Sequence, residues 1–280
     1  MVGLIGLGSM GGAMAARLLR QGVVPVVWDA QPAAVVRSGG QAAAGPADVA
    51  ADCVILSLPD AVAVAAVLAA LWPVLPPGAV VVDTSTISPL DARGFAAVAA
   101  ARGVAYLDAP VSGGPAGAAA GTLTMMIGGE ATALARARSV LALLTQRIVH
   151  VGGPGAGQVA KLVNNLLVAT HLVTAAEALR LGARAGLAPE ALLPVLNAAT
   201  GRSAATEVNW PRWIATGAFD SGFSAGLMRK DVRLALELAA AVGAPLDACA
   251  AAARAWAESQ VADTAEFNHV PHAIFEAAND

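Results

Sequence analysis

Val2-Gly3-Leu4-Ile5-Gly6-Leu7-Gly8-Ser9-Met10-Gly11 opens the chain, and Val24-Pro25-Val26-Val27-Trp28-Asp29 follows it. The first stretch is an apolar run that ends in G-x-G-x-x-G and leads into a helix at about Met10. The first glycine of such a turn allows the tight bend. The second lets the backbone approach a pyrophosphate, and the third brings helix and strand close. The helix N-terminus then favours the phosphate charge. Asp29 closes the second run, 18 residues after Gly11. A carboxylate there accepts hydrogen bonds from the adenosine ribose hydroxyls and repels a 2′-phosphate, so NAD is expected over NADP.

The apolar runs Cys53–Leu58, Val80–Val82, Val104–Leu107 and Ile148–Val151 repeat the pattern between Ala-rich helical stretches. Continuous hydrophobicity suits strands covered on both faces, hence a parallel sheet of repeated βα units. After Gly155 the strand signal stops. Val159–Ala185 reads as one long helix, followed by Pro189–Ala198, Leu227–Val242 and Ala248–Gln260. Pro189 falls in a first helical turn and Gly186 just past a helix end, where each belongs. The expectation is an α/β fold: a Rossmann-type doubly wound domain over 1–153, then an all-α domain over 154–280 for substrate and assembly.

Composition excludes several classes. The 280 residues carry 17 basic and 20 acidic side chains, a net charge of −3, which points away from nucleic acid. Only 13% are charged and 57% are hydrophobic, so the chain is not disordered. Alanine, at 70 residues, accounts for the apolar excess and for close-packed helices. The apolar stretch Ala61–Leu75 is shorter than the ~20 residues a bilayer requires, and no basic segment opens the chain. Two cysteines, Cys53 and Cys249, each within an apolar run, read as buried thiols. A soluble cytoplasmic protein is expected. The sequence offers no metal-ligand cluster. His150 and His171 read as satisfied core histidines, and His269 and His272 as a solvated turn around Pro271.

Three further loops follow strands. Leu58-Pro59-Asp60 and Asp83-Thr84-Ser85-Thr86 lie where doubly wound sheets bind ligands, although the same residues are ordinary turn formers. Asp108-Ala109-Pro110-Val111-Ser112-Gly113-Gly114 sets a hydroxyl beside two glycines, a cradle for a small carboxylate or a plain Pro/Gly loop.

Lysine use is uneven: 15 arginines stand against Lys161 and Lys230 alone. Arginine does not deprotonate, so a retained lysine is a candidate for proton transfer. Lys161 lies one turn into the long helix, and Asn165 shares its face four residues on. The pair would point into the cleft between the domains. Burial there lowers a lysine pKa and suits it to general acid/base work. A surface lysine is the simpler alternative.

With these residues in place the chain resembles the β-hydroxyacid dehydrogenase family, and within it the 3-hydroxyisobutyrate dehydrogenases, over nearly its whole length. The resemblance rests on Gly6 to Gly11, Asp108 to Gly114, Gly152-x-x-Gly155-x-Gly157-x-x-x-Lys161-x-x-x-Asn165, Gly201-Arg202-Ser203, and Lys230-Asp231. It implies that Lys161 is catalytic, with Asn165, and that Ser112, Gly113, Gly114 and Asn165 hold a small hydroxy acid. It implies that Leu58, Pro59, Thr86 and Lys230 contact NAD beside Gly6, Leu7, Gly8, Ser9, Met10, Gly11 and Asp29. Two departures stand out. Ala63 occupies a place where close relatives carry an asparagine, and Gly201–Trp213 follows the 3-hydroxyisobutyrate pattern loosely.

The expected chemistry places a 3-hydroxy acid in the cleft with its carboxylate on Ser112-Gly113-Gly114, and neutral Lys161 takes the hydroxyl proton as hydride leaves for the nicotinamide. A reductase of tartronate semialdehyde, glyoxylate or succinic semialdehyde would share every catalytic residue, as would an L-serine dehydrogenase. Asp29 disfavours the NADP-dependent members. An imine reductase typically lacks the lysine. A 6-phosphogluconate dehydrogenase needs a longer helical half. An inactive copy serving as an interaction module, such as a chromatin reader, would lose Lys161 and carry a basic tail. Flat Ala-rich helix faces predict a homodimer or homotetramer.

Overall fold

The computed structural model describes residues 1–277. The chain divides into two compact units, Met1–Lys161 and the residues from Leu162 onward.

The first unit is built on one sheet. Strands β1 (Val2–Ile5), β2 (Val26–Trp28), β3 (Gln41–Ala42), β4 (Cys53–Leu56), β5 (Val80–Asp83) and β6 (Ala105–Asp108) are parallel, in the order β3-β2-β1-β4-β5-β6. Helices α1 (Ser9–Arg20), α2 (Pro32–Ser38), α3 (Ala61–Leu71) and α4 (Pro89–Ala100) connect them. After β6 come β7 (Val111–Ser112), α5 (Gly114–Ala120), β8 (Leu123–Gly128), α6 (Ala131–Leu141) and β9 (Thr145–Gly152). β8 pairs antiparallel with the end of β6 and with β7, and parallel with β9. The sheet is therefore mixed where the sequence suggested parallel strands only. Its parallel part carries the doubly wound architecture expected.

The continuous apolar runs are explained by two cores. Leu4, Ile55, Val80 and Val82 pack with α1 and α6 on one face. Ile5, Val54, Leu56 and Val81 pack with α3 and α4 on the other. Successive residues point to opposite faces, and both faces are covered. Each buried aliphatic side chain contributes about 1.5–3 kcal/mol. Helix starts follow local chemistry: Asp60 Oδ1 accepts from Ala63 N at 2.8 Å, and Ser88 Oγ accepts from Leu90 N at 3.1 Å.

The second unit is helical. α7 (Ala156–Arg184) begins in the first unit and continues here, followed by α8 (Pro189–Ala198), a π-helical segment (Ala205–Ile214), α9 (Ala225–Val242), α10 (Asp247–Glu258) and α11 (His269–Glu276). One core joins Leu162, Leu166, Leu172, Met228, Val232 and Trp256. Trp256 is fully buried, and its indole N–H donates to Ala169 O at 3.0 Å. Among the described residues α7, rather than Ala61–Leu75, is the helix long and apolar enough to cross a membrane by length and composition alone. Here one face of it forms the helical core.

Candidate active site

The turn after β1 places its glycines as the spacing predicts. Gly6 has φ +89°, and a Cβ there would sit 2.2 Å from Ser57 O. A Cβ on Gly11 would sit 1.8 Å from Gly6 O, so only glycine lets α1 pack this close. Nothing lies within 4 Å of a Cβ built on Gly8. That open side faces a cleft of about 460 Å³ lined by Leu7, Gly8, Ser9, Gly12, Ala13, Ala34, Arg37 and Ser38. The first N–H groups of a helix have no intrahelical acceptor, so Ser9, Met10 and Gly11 present donors for a diphosphate. Asp29 closes the loop: its Oδ2 accepts from Leu7 N at 2.6 Å and its Oδ1 from Gln31 N at 2.7 Å. A carboxylate has about four acceptor positions, so capacity remains for ribose hydroxyls. These residues fit a dinucleotide.

The next two loops are joined to each other. Leu58 N donates to Ser85 Oγ at 2.9 Å, and Thr84 Oγ1 donates to Leu56 O at 2.7 Å. Asp60 acts as a helix cap, so the turn-chemistry alternative holds for that residue. Beneath the loops Asp83 is fully buried. It accepts from Tyr106 Oη at 2.6 Å and from Ser85 N at 2.9 Å. Burial raises the Asp83 pKa to about 6, with bonds from Ser85 and Tyr106 opposing the rise. Burial and the Asp83 carboxylate hold the Tyr106 phenol well above its usual value.

Lys161 is buried in the second turn of α7. The start of that helix is anchored by Asp108 at the end of β6. Its Oδ1 accepts from Gly155 N at 2.8 Å and its Oδ2 from Gln158 N at 2.9 Å. Burial raises the Asp108 pKa, and the backbone N–H donors counter that. The approach is tight, because a Cβ on Gly157 would lie 2.5 Å from Asp108 O. Ser112 ends β7 opposite Thr124, and Gly113 and Gly114 have φ +126° and +64°, turning the chain into α5. In the second unit Asn165 Nδ2 donates to Asp231 Oδ2 at 2.6 Å, and Lys230 Nζ lies 3.4 Å from Asp231 Oδ1. Asn165 and Asp231 are both buried. The structure therefore groups Leu58 with the Thr86 loop, Leu7 with Asp29, and Asn165 with Lys230.

Several sequence expectations are corrected. His269 and His272 belong to α11, where His269 stacks on Phe219 with ring centroids 3.8 Å apart, so they form no solvated turn. His171 is exposed, and His150 is not a core residue; its Nε2 lies 2.8 Å from Gly129 O. Cys53 is buried, with its thiol pKa raised to about 11 by burial, whereas Cys249 is only half-buried. Sequence reasoning missed Gln158, which lies fully buried between the Thr86 loop and α7. The available signal was a polar residue three positions before Lys161, on the same helical face. Among the described residues no group of three or more His, Cys, Asp or Glu side chains is placed to hold a metal ion.

Comparison with known proteins extends this picture. Residues 1–152 match the family described as the NAD binding domain of 6-phosphogluconate dehydrogenase. Residues 155–271 match the family described as NAD-binding of NADP-dependent 3-hydroxyisobutyrate dehydrogenase. The chain is 42% identical to 2-(hydroxymethyl)glutarate dehydrogenase of Eubacterium barkeri, over 88% of this chain and 84% of that protein. It is 42% identical to the NAD-dependent L-serine dehydrogenase of Pseudomonas aeruginosa, over 86% of this chain and 85% of that one. The solved structure of Mycobacterium tuberculosis 3-hydroxyisobutyrate dehydrogenase with L-serine superimposes with TM-score 0.91 at 37% identity, covering 98% of both chains. A dinucleotide turn, a buried lysine on the helix that follows the sheet, and relatives of this similarity over most of their length lead to one conclusion: the chain belongs to the NAD-dependent β-hydroxyacid dehydrogenases.

Proposed function

We propose that this chain oxidises 3-hydroxypropanoates substituted at C2, using NAD. The three relatives named above share a chemical pattern: 3-hydroxyisobutyrate, L-serine and 2-(hydroxymethyl)glutarate each carry a hydroxymethyl group on the carbon bearing the carboxylate. A site for that pattern needs an anion cradle, a proton acceptor and a group that orients the hydroxyl. Ser112, Gly113 and Gly114 supply backbone and hydroxyl donors for the carboxylate. Lys161 takes the hydroxyl proton in oxidation and returns it in reduction. Asn165 gives one amide hydrogen to Asp231, and the second is assigned to the substrate oxygen. Gly6, Leu7, Gly8, Ser9, Met10, Gly11, Asp29, Leu58, Pro59, Thr86 and Lys230 are assigned to the dinucleotide. When bound, its nicotinamide supplies the hydride acceptor. Asp29, beside the turn, sets the preference for NAD over NADP. Action in the cytoplasm, as a homodimer or homotetramer assembled through the helical unit, completes the reading.

The observation that carries it is Lys161, buried on α7 in a chain that otherwise uses arginine almost throughout. Lys161→Arg keeps the cation of the protonated amine and removes the proton that exchanges near neutral pH. General acid/base catalysis contributes roughly 10²–10⁴-fold. The variant is expected to lose at least about 100-fold in kcat with L-serine or 3-hydroxyisobutyrate, with NAD affinity little changed. Retention of more than about a tenth of wild-type kcat overturns the assignment. Steady-state rates across the three hydroxymethyl acids, with lactate as the 2-hydroxy control, test the substrate class. Comparable rates with lactate contradict it.

A further inference from the structure

Thr86 sits between two peptide groups that the same side chain holds. Gln158 Nε2 donates to Ser85 O at 2.8 Å, and Gln158 Oε1 accepts from Ile87 N at 3.2 Å. One amide thus pairs with the backbone on both sides of Thr86, as a neighbouring strand would. The backbone N–H of Gln158 goes to Asp108, so the residue is fixed to the start of α7 as well as to the loop. Ser85 in turn receives Leu58 N on its hydroxyl and gives its own N–H to Asp83. Gln158 is fully buried and Ser85 nearly so. A buried amide satisfied at both ends holds one geometry, because breaking either bond leaves an unpaired polar group away from water. Lys161 follows Gln158 by three residues on one helical face.

We infer that Gln158 is a positioning residue: its amide fixes the Leu58 and Thr86 loops, assigned to the dinucleotide, in register with the helical turn that carries Lys161. The inference rests on the cofactor assignment of Thr86, and the experiment separates the two. Affinity for NAD is measured by calorimetry without substrate, and kcat in parallel, for Thr86→Ala, Gln158→Met and Gln158→Glu. Gln158→Met keeps the length and apolar bulk and removes both hydrogen bonds. It is expected to weaken NAD binding and lower kcat by about tenfold or more each, while the KM for the hydroxy acid stays within about threefold. In Gln158→Glu the ionised carboxylate faces Ser85 O, and the protonated acid restores a donor and an acceptor. NAD affinity of that variant, relative to wild type, is expected to recover as pH falls from about 8 to about 5. This recovery is read even where Gln158→Met folds poorly, since a purely structural role would not tie affinity to this proton. If Thr86→Ala weakens NAD binding while both Gln158 variants bind NAD within about twofold of wild type at every pH, the inference fails. If Thr86→Ala itself leaves NAD affinity unchanged, the cofactor assignment fails, and the inference with it.

Discussion

Asp83 and Asp108 end adjacent strands, paired across β5 and β6, with both carboxyls sealed from water. Burial raises both pKa values, Asp83 to about 6 from an ordinary 3.8. Below about pH 4 the folded and unfolded chains both hold the Asp83 proton. Between about 4 and 6 the unfolded chain releases it first, so stability falls as pH rises through that window and levels off above it. The cost at neutral pH is on the order of 3 kcal/mol. Asp83→Asn removes the charge and keeps an acceptor for Ser85 N. Relative to wild type the variant should gain stability to urea between about pH 4 and about pH 7. A difference that stays constant across that range would show that the Asp83 proton does not set the slope. Little of this was visible beforehand. The Asp83 loop was legible as a loop closing a strand, but Tyr106, the chain's one tyrosine, gave no hint that it would meet Asp83. Gln158 was hidden for a similar reason: the partners of its side-chain amide lie more than 70 residues away, and no local period reports such a contact.

At the scale of elements, the turn from β1 into α1 separates two uses of glycine. Gly11→Ala drives a Cβ to 1.8 Å from Gly6 O, a distance that real Cβ atoms do not show, so helix and strand must part. The expected loss is at least about 1–3 kcal/mol by thermal or urea unfolding, with NAD binding lost alongside. Gly8→Ala meets nothing within 4 Å and has φ −63°, so the fold should survive nearly unchanged. On the proposed assignment of this turn to the dinucleotide, its NAD affinity should drop about tenfold or more, because the methyl group would fill the open side assigned to the diphosphate. Equal effects of the two substitutions on stability would contradict this division. The G-x-G-x-x-G spacing exposed this turn at once, and strands apolar on both faces exposed β1, β4 and β5. β8 was missed: Leu123-Thr124-Met125-Met126-Ile127-Gly128 has few β-branched residues, and the antiparallel edge it forms with β6 and β7 has no signature in repeated βα spacing. The π-helical segment and α11 were missed because Pro211 and Pro271 interrupt the helical pattern.

At the scale of the whole molecule, the helical unit leaves part of α7 bare. Val163, Leu167 and Leu181 are 50%, 46% and 72% exposed, and their spacing of 4 and 14 residues keeps them on one face. Thr174, also exposed, lies on the same strip. The other sides of the helix carry Leu162, Leu166, Leu172 and Leu179 into the cores of the unit. A helix apolar on both sides is suited to burial on both sides, and self-association with closed symmetry is the usual way a single chain achieves it. Light scattering at micromolar concentration should therefore give a mass of two or four chains. Unfolding temperature should rise with protein concentration, since assembly stabilises the folded chain by mass action. Val163→Glu with Leu167→Glu places two charges on the exposed strip without touching the buried one. That double variant should fold, run as a monomer and lose the concentration dependence. A wild-type chain that scatters as a monomer, with an unfolding temperature independent of concentration, would show that α7 tolerates its bare face in water and that assembly plays no part in this enzyme.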